Sequence, residues 1–398
     1  MGRPVKFMRS LSALNCSAIN QAPPASRGIL DGSGHKAVIP SDPMEPINLK
    51  AYTLSQLTEL FKEWGHKAYR AKQVYRWIYA NGATDFEQMT DLSKATRKLL
   101  QERAVLPQLT VQHESVSADG TRKYLYGLPD GETIESVWIP EERRSTLCIS
   151  TQVGCAMGCG FCLTAQGGLT RNLESWEIVE QVLAARRVAP EFPPITNVVM
   201  MGMGEPLANL GNVVPALEML VDDLGIGLGP SKVTVSTVGV IPKMAEFGQL
   251  APYANLAVSL GASTDKVRNE LIPVASKWPL KELMVACRNY PLPPRRSIFF
   301  EYILIKGIND SRADAKQLVK LLHGVRCKVN LMSYNPSPGL PFERPDWDTV
   351  LAFQKTLGDS GIRTLVRKSR GQDVLAACGQ LRQAETQGDL AGNLIGVT

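Results

Sequence analysis

The sequence predicts an α/β protein: a partial (β/α)6 barrel of the TIM type, preceded by a small N-terminal helical domain and a short β-hairpin extension. Three observations carry that prediction. From residue 146 onward strand-like runs alternate with amphipathic helical stretches, residues 46–105 repeat apolar side chains at helical spacing, and residues 106–145 alternate around two Asp-Gly pairs. A length of 398 residues leaves room for two or three domains. With 44% hydrophobic and 21% charged residues, the composition is that of a soluble globular chain.

Residues 1–45 are rich in Gly, Pro and Ser, lack an apolar period, and read as a disordered leader in which Cys16 is incidental. The opening MGRPVKFMRSLSALNCSAIN is basic but has no sustained apolar core, so it is not read as a signal peptide. It also lacks the Ser or Thr at position 6 that myristoylation requires. Residues 46–105 form the helical accessory domain. In TLSQLTELFKEWG, Leu54, Leu57, Phe61 and Trp64 share one face, closed by Gly65. In YRAKQVYRWIYANG, Val74, Trp77 and Ile78 share a face that Arg70, Lys72 and Arg76 largely avoid, and DLSKATRKLLQERA completes the module. Basic residues interleaved with Tyr69, Tyr75 and Tyr79 suit an RNA contact, because cations meet phosphates and rings stack on bases. A solvated basic face over an aromatic core fits the same letters, and from local sequence alone it is the favoured reading.

Residues 106–145 read as a β-hairpin linker, with Asp-Gly at 119–120 and 130–131 between alternating runs. Glu135 lies among apolar neighbours in ETIESVWIP, either as the solvent-facing member of the alternation or as a partly desolvated carboxylate. The barrel is assigned to residues 146–368. Its strand runs are TLCIST, NVVMMGM, KVTVSTVG, NLAVSLGA, SIFFEYILI, KVNLMSYNP and RTLVRK. Between them lie helices such as SWEIVEQVLAARRV, SRADAKQLVKLLH with its Ser311…Asp314 capping pattern, and DWDTVLAFQKTLGDSG, which runs from an Asp346 cap to the Gly361 stop. Repeated strand–helix units imply a parallel sheet with right-handed crossovers. Residues 369–398 form a C-terminal segment that carries Cys378 and ends in a flexible tail.

The stretch CISTQVGCAMGCGFCLTAQGGLTRN places Cys155, Cys159 and Cys162 at C-x3-C-x2-C spacing among glycines. Thiolates hold iron–sulfur clusters, and a [4Fe–4S] cube is fully ligated by four of them. Three thiolates with no nearby fourth leave one iron open to a ligand. A four-ligand zinc site needs another Cys or His close by, and none of the chain's 4 histidines clusters with these cysteines. A ferredoxin would show a fourth ligand cysteine. Spacing and context resemble the signature of the radical S-adenosylmethionine (SAM) superfamily, which implies one [4Fe–4S] cluster with three Cys ligands and SAM at the open iron. In a parallel barrel the chemistry collects at the C-terminal strand ends. Gly204 and Glu205 follow the second strand run, Ser236 closes the third, Ser259, Leu260 and Gly261 the fourth, and Asn335 the sixth. This rim is assigned to SAM.

The match narrows further. YRAKQVYRWIY, DFEQMTDLSK, IESVWIP, LCISTQVGCAMGCGFC, GLTRNL, MGMGEPL, VTVSTVG and SRGQDVLAACGQL together resemble the RlmN/Cfr family of RNA adenine methyltransferases, over residues 46–382. The resemblance implies that Cys378 is methylated by one SAM and that a second SAM, cleaved at the cluster, activates that methyl group for addition to adenine. Two SAM are thus consumed per turnover. It further implies that Glu135 accepts the adenine proton and that Cys148 resolves the covalent adduct through a transient Cys148–Cys378 disulfide. Cys287 and Cys327 match no motif and are left structural. One departure stands out: the family usually carries Ser-Leu-His-Ala where this chain reads Ser259-Leu260-Gly261-Ala262, which removes an imidazole contact to SAM.

The implied partners are 23S rRNA, tRNA and an electron donor such as flavodoxin or ferredoxin. A formal net charge of +6 is compatible with RNA without requiring it. No apolar run reaches the roughly 20 residues that span a bilayer, so no membrane association is expected. The 8 cysteines centre on one motif, which suits a reducing cytoplasm, and a monomer is expected. The favoured activity is methylation of adenine C2. Cfr-type methylation at C8 and a catalytically decayed RNA-binding paralogue are the alternatives, because the thiol pair and the cluster serve C2 and C8 chemistry alike.

Overall fold

The structure is a computed structural model that describes residues 45–382. The leader up to residue 44, with Cys16, and the tail from 383 lie outside the described residues.

The N-terminal module follows its apolar periods. A two-residue parallel pair, β1 (Ile47–Asn48) with β2 (Ala104–Val105), joins its start to its end. Helix α1 (Leu54–Glu63) opens at Thr53, which forms a capping box with Gln56. Helices α2 (Ala68–Tyr79) and α3 (Lys94–Arg103) follow, the latter capped by Ser93. Leu57, Phe61, Val74 and Ile78 are buried, as their spacing requires. Tyr75 and Tyr79 are buried with them, their ring centroids 4.6 Å apart, and the Tyr79 hydroxyl donates to the Lys50 carbonyl at 2.8 Å. These two rings are therefore core, and of the three tyrosines only Tyr69 is exposed, with the Arg70 guanidinium 4.8 Å from its ring centre. A buried ion pair ties the module to the barrel: Lys50 Nζ lies 2.8 Å from Glu180 Oε2, and Arg187 Nη2 lies 2.6 Å from Glu180 Oε1.

Strands β3 (Thr110–Val116), β4 (Arg122–Gly127), β5 (Thr133–Glu141) and β6 (Arg144–Cys148) form an antiparallel meander that turns at the two Asp-Gly pairs. A small ribbon, β7 (Gln152–Gly154) with β8 (Leu169–Asn172), brackets the cysteine loop and the short helix α4 (Leu163–Gln166). Strands β9 (Asn197–Met200), β10 (Val233–Thr237), β11 (Asn255–Ser259), β12 (Ile298–Leu304), β13 (Cys327–Ser333) and β14 (Thr364–Arg367) continue parallel to β6. The crossovers are α5 (Ser175–Val188), α6 (Leu210–Val221), α7 (Ile241–Leu250), α8 (Asp265–Leu271) with α9 (Leu280–Asn289), α10 (Arg312–Leu321) and α11 (Trp347–Asp359).

Sheet order is β14-β13-β12-β11-β10-β9-β6-β5-β4-β3, so the barrel is open, and the hairpins continue its sheet through β5 and β6 instead of standing apart. Alternate residues of the parallel strands, such as Val235, Val258, Phe300 and Leu331, are fully buried in the core. Their neighbours Ser236, Ser259, Glu301 and Met332 face a cavity. No helix among the described residues is long and apolar enough to cross a membrane.

Candidate active site

Cys155, Cys159 and Cys162 sit on one loop whose backbone is fixed from both sides. The Cys155 amide donates to the Gly168 carbonyl at 2.6 Å, the Gly160 amide to Leu271 at 3.0 Å, and the Cys162 amide to Cys159 at 3.2 Å. All three cysteines line a cavity of ≈ 910 Å³, open mouth included, at the C-terminal ends of the parallel strands. Burial pushes the Cys155 thiol up to about 12 and raises that of Cys159 further. The thiols also oppose one another's ionisation, which places them in one shared space. No Lys or Arg lines that space. A cationic centre favours close thiolates there, and an iron–sulfur core bound by three cysteines supplies one. The donor set fits a [4Fe–4S] cluster.

Gly204, Glu205, Ser236, Ser259 and Gly261 line the same cavity. Gly204 takes φ +105°, and a Cβ there would stand 2.6 Å from Gln152 Cβ, so neither the turn nor its packing admits a side chain. Glu205 caps the following turn: Oε1 accepts from the Leu207 amide at 3.1 Å and Oε2 from Val238 at 2.8 Å. Its burial raises the carboxyl to about 7. The Ser236 and Ser259 hydroxyls are 3.4 Å apart. Gly261 has φ +75°, and a Cβ would meet Ile272 Cδ1 at 2.7 Å, so any side chain here must displace Ile272. Leu260 and Asn335 do not line the cavity. Leu260 is fully buried, its carbonyl accepting from Arg268 Nε at 3.0 Å. Asn335 Nδ2 donates to the Cys378 carbonyl at 3.3 Å, and its Oδ1 accepts from Arg344 at 3.0 Å, so it braces the thiol loop.

Cys378 opens onto the cavity opposite the cluster loop. The residue is exposed, and desolvation by the neighbouring chain raises its thiol pKa. The next residue joins it to the cluster loop, the Leu163 amide donating to the Gly379 carbonyl at 2.8 Å. Cys148 ends β6; burial, then the neighbouring Cys378, push its thiol up to about 12. Both thiols are free. Glu135 is not the solvent-facing member of an alternating strand, because residues 133–138 of β5 are buried on both faces. Lys123 Nζ sits 2.9 Å from its Oε1, and the Arg382 amide donates to its Oε2 at 2.9 Å. Cys327 begins β13 and Cys287 lies on α9, both away from the cavity.

Two features escaped the sequence reading. Glu301, 5% exposed, lines the cavity with Oε1 accepting from Asn330 Nδ2 at 2.7 Å and with Oε2 unpartnered. Its signal was a lone carboxylate inside SIFFEYILI. The second is a clamp between the β3–β4 turn and the Cys378 loop, in which Asp373 accepts from Ser117 Oγ at 2.6 Å and from the Ala118 amide at 3.0 Å. No local pattern signalled a contact between segments so far apart in sequence.

Residues 47–106 match the family described as ribosomal RNA large subunit methyltransferase N-terminal domain, and residues 149–320 match the radical SAM superfamily. The chain is 49% identical over 339 residues to the dual-specificity RNA methyltransferase RlmN of Geotalea uraniireducens (strain Rf4), covering 85% of this chain and 97% of that one. It is 52% identical over 337 residues to the protein of the same description from Syntrophotalea carbinolica (strain DSM 2380 / NBRC 103641 / GraBd1), covering 84% and 90%. The crystal structure of a radical SAM methyltransferase from Sphaerobacter thermophilus superposes with a TM-score of 0.80 at 43% identity, covering 85% of this chain and 99% of that one.

Proposed function

Because the chain belongs to the RlmN family of radical SAM RNA methyltransferases, we propose that it methylates C2 of one adenine in 23S rRNA, at the peptidyl-transferase centre, and of the anticodon-adjacent adenine in some tRNAs. The observation that carries this reading is the opening of the Cys378 thiol onto the same cavity as Cys155, Cys159 and Cys162. Adenine C2 is not nucleophilic and cannot displace a methyl group from a sulfonium, so the methyl must first be parked on a protein atom. When bound, the [4Fe–4S] cluster and SAM supply the one-electron chemistry that breaks a C–H bond of that methyl group.

The chain's own residues do the rest. Cys155, Cys159 and Cys162 hold the cluster, and Gly204, Glu205, Ser236, Ser259 and Gly261 line the SAM site. Leu260 and Asn335 support it from behind. Cys378 carries the methyl group. Glu135 accepts the C2 proton; Lys123 and the Arg382 amide hold its two oxygens in place beside the C-terminal segment. The Cys148 thiolate attacks the carrier sulfur and breaks its bond to the methylene carbon, which takes up a proton and leaves as the methyl group of the base; the Cys148–Cys378 disulfide so formed is reopened by two electrons from a reductant. The helical module, with Arg70 and exposed Tyr69 on its surface, meets RNA. We place the enzyme in the cytoplasm as a monomer served by a flavodoxin- or ferredoxin-type donor.

The dual-specificity relatives favour C2 over the C8 alternative. Nucleoside mass spectrometry of rRNA and tRNA from a deletion strain tests the choice. Loss of 2-methyladenine is expected; loss of 8-methyladenine, or no change, would overturn it.

A further inference from the structure

We infer that Glu301 contacts the cosubstrate: its free Oε2 accepts a hydrogen bond from a ribose hydroxyl of the nucleoside sulfonium. This rests on the reading above that SAM occupies the cavity. Period-two geometry sets the carboxylate inside the barrel, since Phe300 and Tyr302 on either side of it are fully buried among the helices. Asn330 holds Oε1 at 2.7 Å and so fixes the rotamer, which leaves Oε2 without a partner in a residue only 5% exposed. A buried carboxylate oxygen with no donor costs free energy and calls for a partner, and of the unpartnered buried atoms Glu301 Oε2 belongs to a residue that lines the cavity.

The donor's identity follows from what stands beside Glu301. Ser259 is its register partner on β11, and the Ser259 hydroxyl lies 3.4 Å from that of Ser236 on β10. Ser236, Ser259 and Glu301 thus form a strip of oxygens across three strands: two hydroxyls that both donate and accept, then a carboxylate oxygen that only accepts. A vicinal diol is complementary to such a strip. One hydroxyl donates to the carboxylate while its neighbour exchanges hydrogen bonds with serine, the way an acidic side chain recognises a ribose in dinucleotide-binding folds. Burial raises the Glu301 carboxyl, and the Arg367 charge and the Asn330 hydrogen bond oppose that rise.

Equilibrium dialysis tests the assignment, using SAM and its 2′-deoxy and 3′-deoxy ribose analogues with cluster-loaded protein. Wild type is expected to bind SAM about tenfold to a hundredfold more tightly than one of the analogues, the range for a hydrogen bond to a charged group. Glu301→Ala, with iron content checked, is expected to bind SAM that much more weakly and to lose the preference. If the Ala variant does not fold, Glu301→Gln keeps the shape without the charge and is expected to lose most of the preference. Unchanged SAM affinity, or a discrimination that survives either substitution, overturns the role of Glu301. A wild type that binds SAM without discriminating overturns the ribose assignment alone. A wild type that binds no SAM fails at the earlier step, the cavity as cosubstrate site, and the two failures are therefore distinct.

Discussion

Asp373→Ala cuts the external hold on the loop that presents Cys378. The β3–β4 turn grips the loop through Ser117, Ala118 and Asp119. Asp373 accepts from Ser117 Oγ at 2.6 Å and from the Ala118 amide at 3.0 Å, while Asp119 accepts from the Gly371 amide at 3.0 Å. Arg370 Nη2 donates to the Asp119 carbonyl at 2.8 Å and to Pro140 at 3.0 Å. The loop's own backbone works against this placement, because Leu375 sits at φ +50°, a left-handed conformation that costs a non-glycine residue about 1 kcal/mol. Removing the Asp373 carboxylate deletes two hydrogen bonds to a charged acceptor. Buried, each would contribute roughly 1.5–3 kcal/mol; Asp373 is exposed, so solvent competition reduces the sum to about 2 kcal/mol. That shifts the docked–undocked equilibrium about thirtyfold. The assay counts 5′-deoxyadenosine released per methyl group delivered to RNA, under anaerobic reducing conditions. The ratio is expected to rise severalfold, with faster protease cleavage within residues 370–382. Ser117→Ala, which removes one of the two bonds, is expected to fall between. A folded Asp373→Ala protein with wild-type coupling and wild-type protease resistance would refute the clamp.

Cys378→Ala is expected to abolish methyl transfer while iron content stays at the wild-type level; methylation at the normal rate would rule out a carrier thiol. Cys148→Ala is expected to leave RNA covalently attached, visible as a shifted band on a denaturing gel, and a clean band would count against its resolving role. Glu205 gives a pH prediction. Its folded carboxyl is raised to about 7 from 4.5, so the folded state holds a proton that the unfolded state has released. Its contribution is neutral below the unfolded value, grows unfavourable as pH climbs from 4.5 to about 7, and levels off above that at about 3 kcal/mol. Thermal melts of iron-stripped protein should therefore lose stability between pH 5 and 8 more steeply than those of Glu205→Gln, and parallel slopes would refute it.

The barrel strands could be read from sequence because each is a short β-branched run bounded by a turn or cap, and local pattern fixes such elements. The cluster loop was legible for another reason: its ligands are contiguous in the chain, so spacing alone brings them together. Legibility ended where placement depends on a second segment. Glu135 looked like one half of an alternation, but β5 lies inside a sheet covered on both faces, and the Arg382 amide reaches its carboxylate from 247 residues away in sequence. Of the two readings open for the tyrosines of the helical module, the aromatic core favoured on local sequence holds for Tyr75 and Tyr79, both buried, the Tyr79 hydroxyl donating to the Lys50 carbonyl. Leu260 and Asn335 sit at the rim in sequence, yet the first points into the core and the second braces a loop. Glu301 was passed over as one polar letter in an apolar run, and only the inward set of β12 residues gives it meaning.

The long-range contacts of the C-terminal segment share one location, and that location accounts for the position of Cys378. The parallel sheet stops at β14 and does not pair back to β6, which leaves a seam between the last strand and the meander. A closed barrel would fill that seam with further strands. Here the segment after β14 crosses it. Arg370 bonds to Pro140 at the end of β5, Gln380 Nε2 donates to Pro336 beyond β13 at 2.8 Å, Thr164 Oγ1 donates to Leu381 at 2.5 Å, and Arg382 reaches Glu135. A chain crossing the gap must pass over the mouth of the lumen, and Cys378 lies on that crossing. An open barrel therefore does two things at once: it leaves a cavity at the strand ends, and it lets the C-terminal segment bring the Cys378 thiol onto that cavity. Strands added to close the sheet would occupy the path of that segment, so in this fold the missing part of the barrel is what gives Cys378 its place at the cavity.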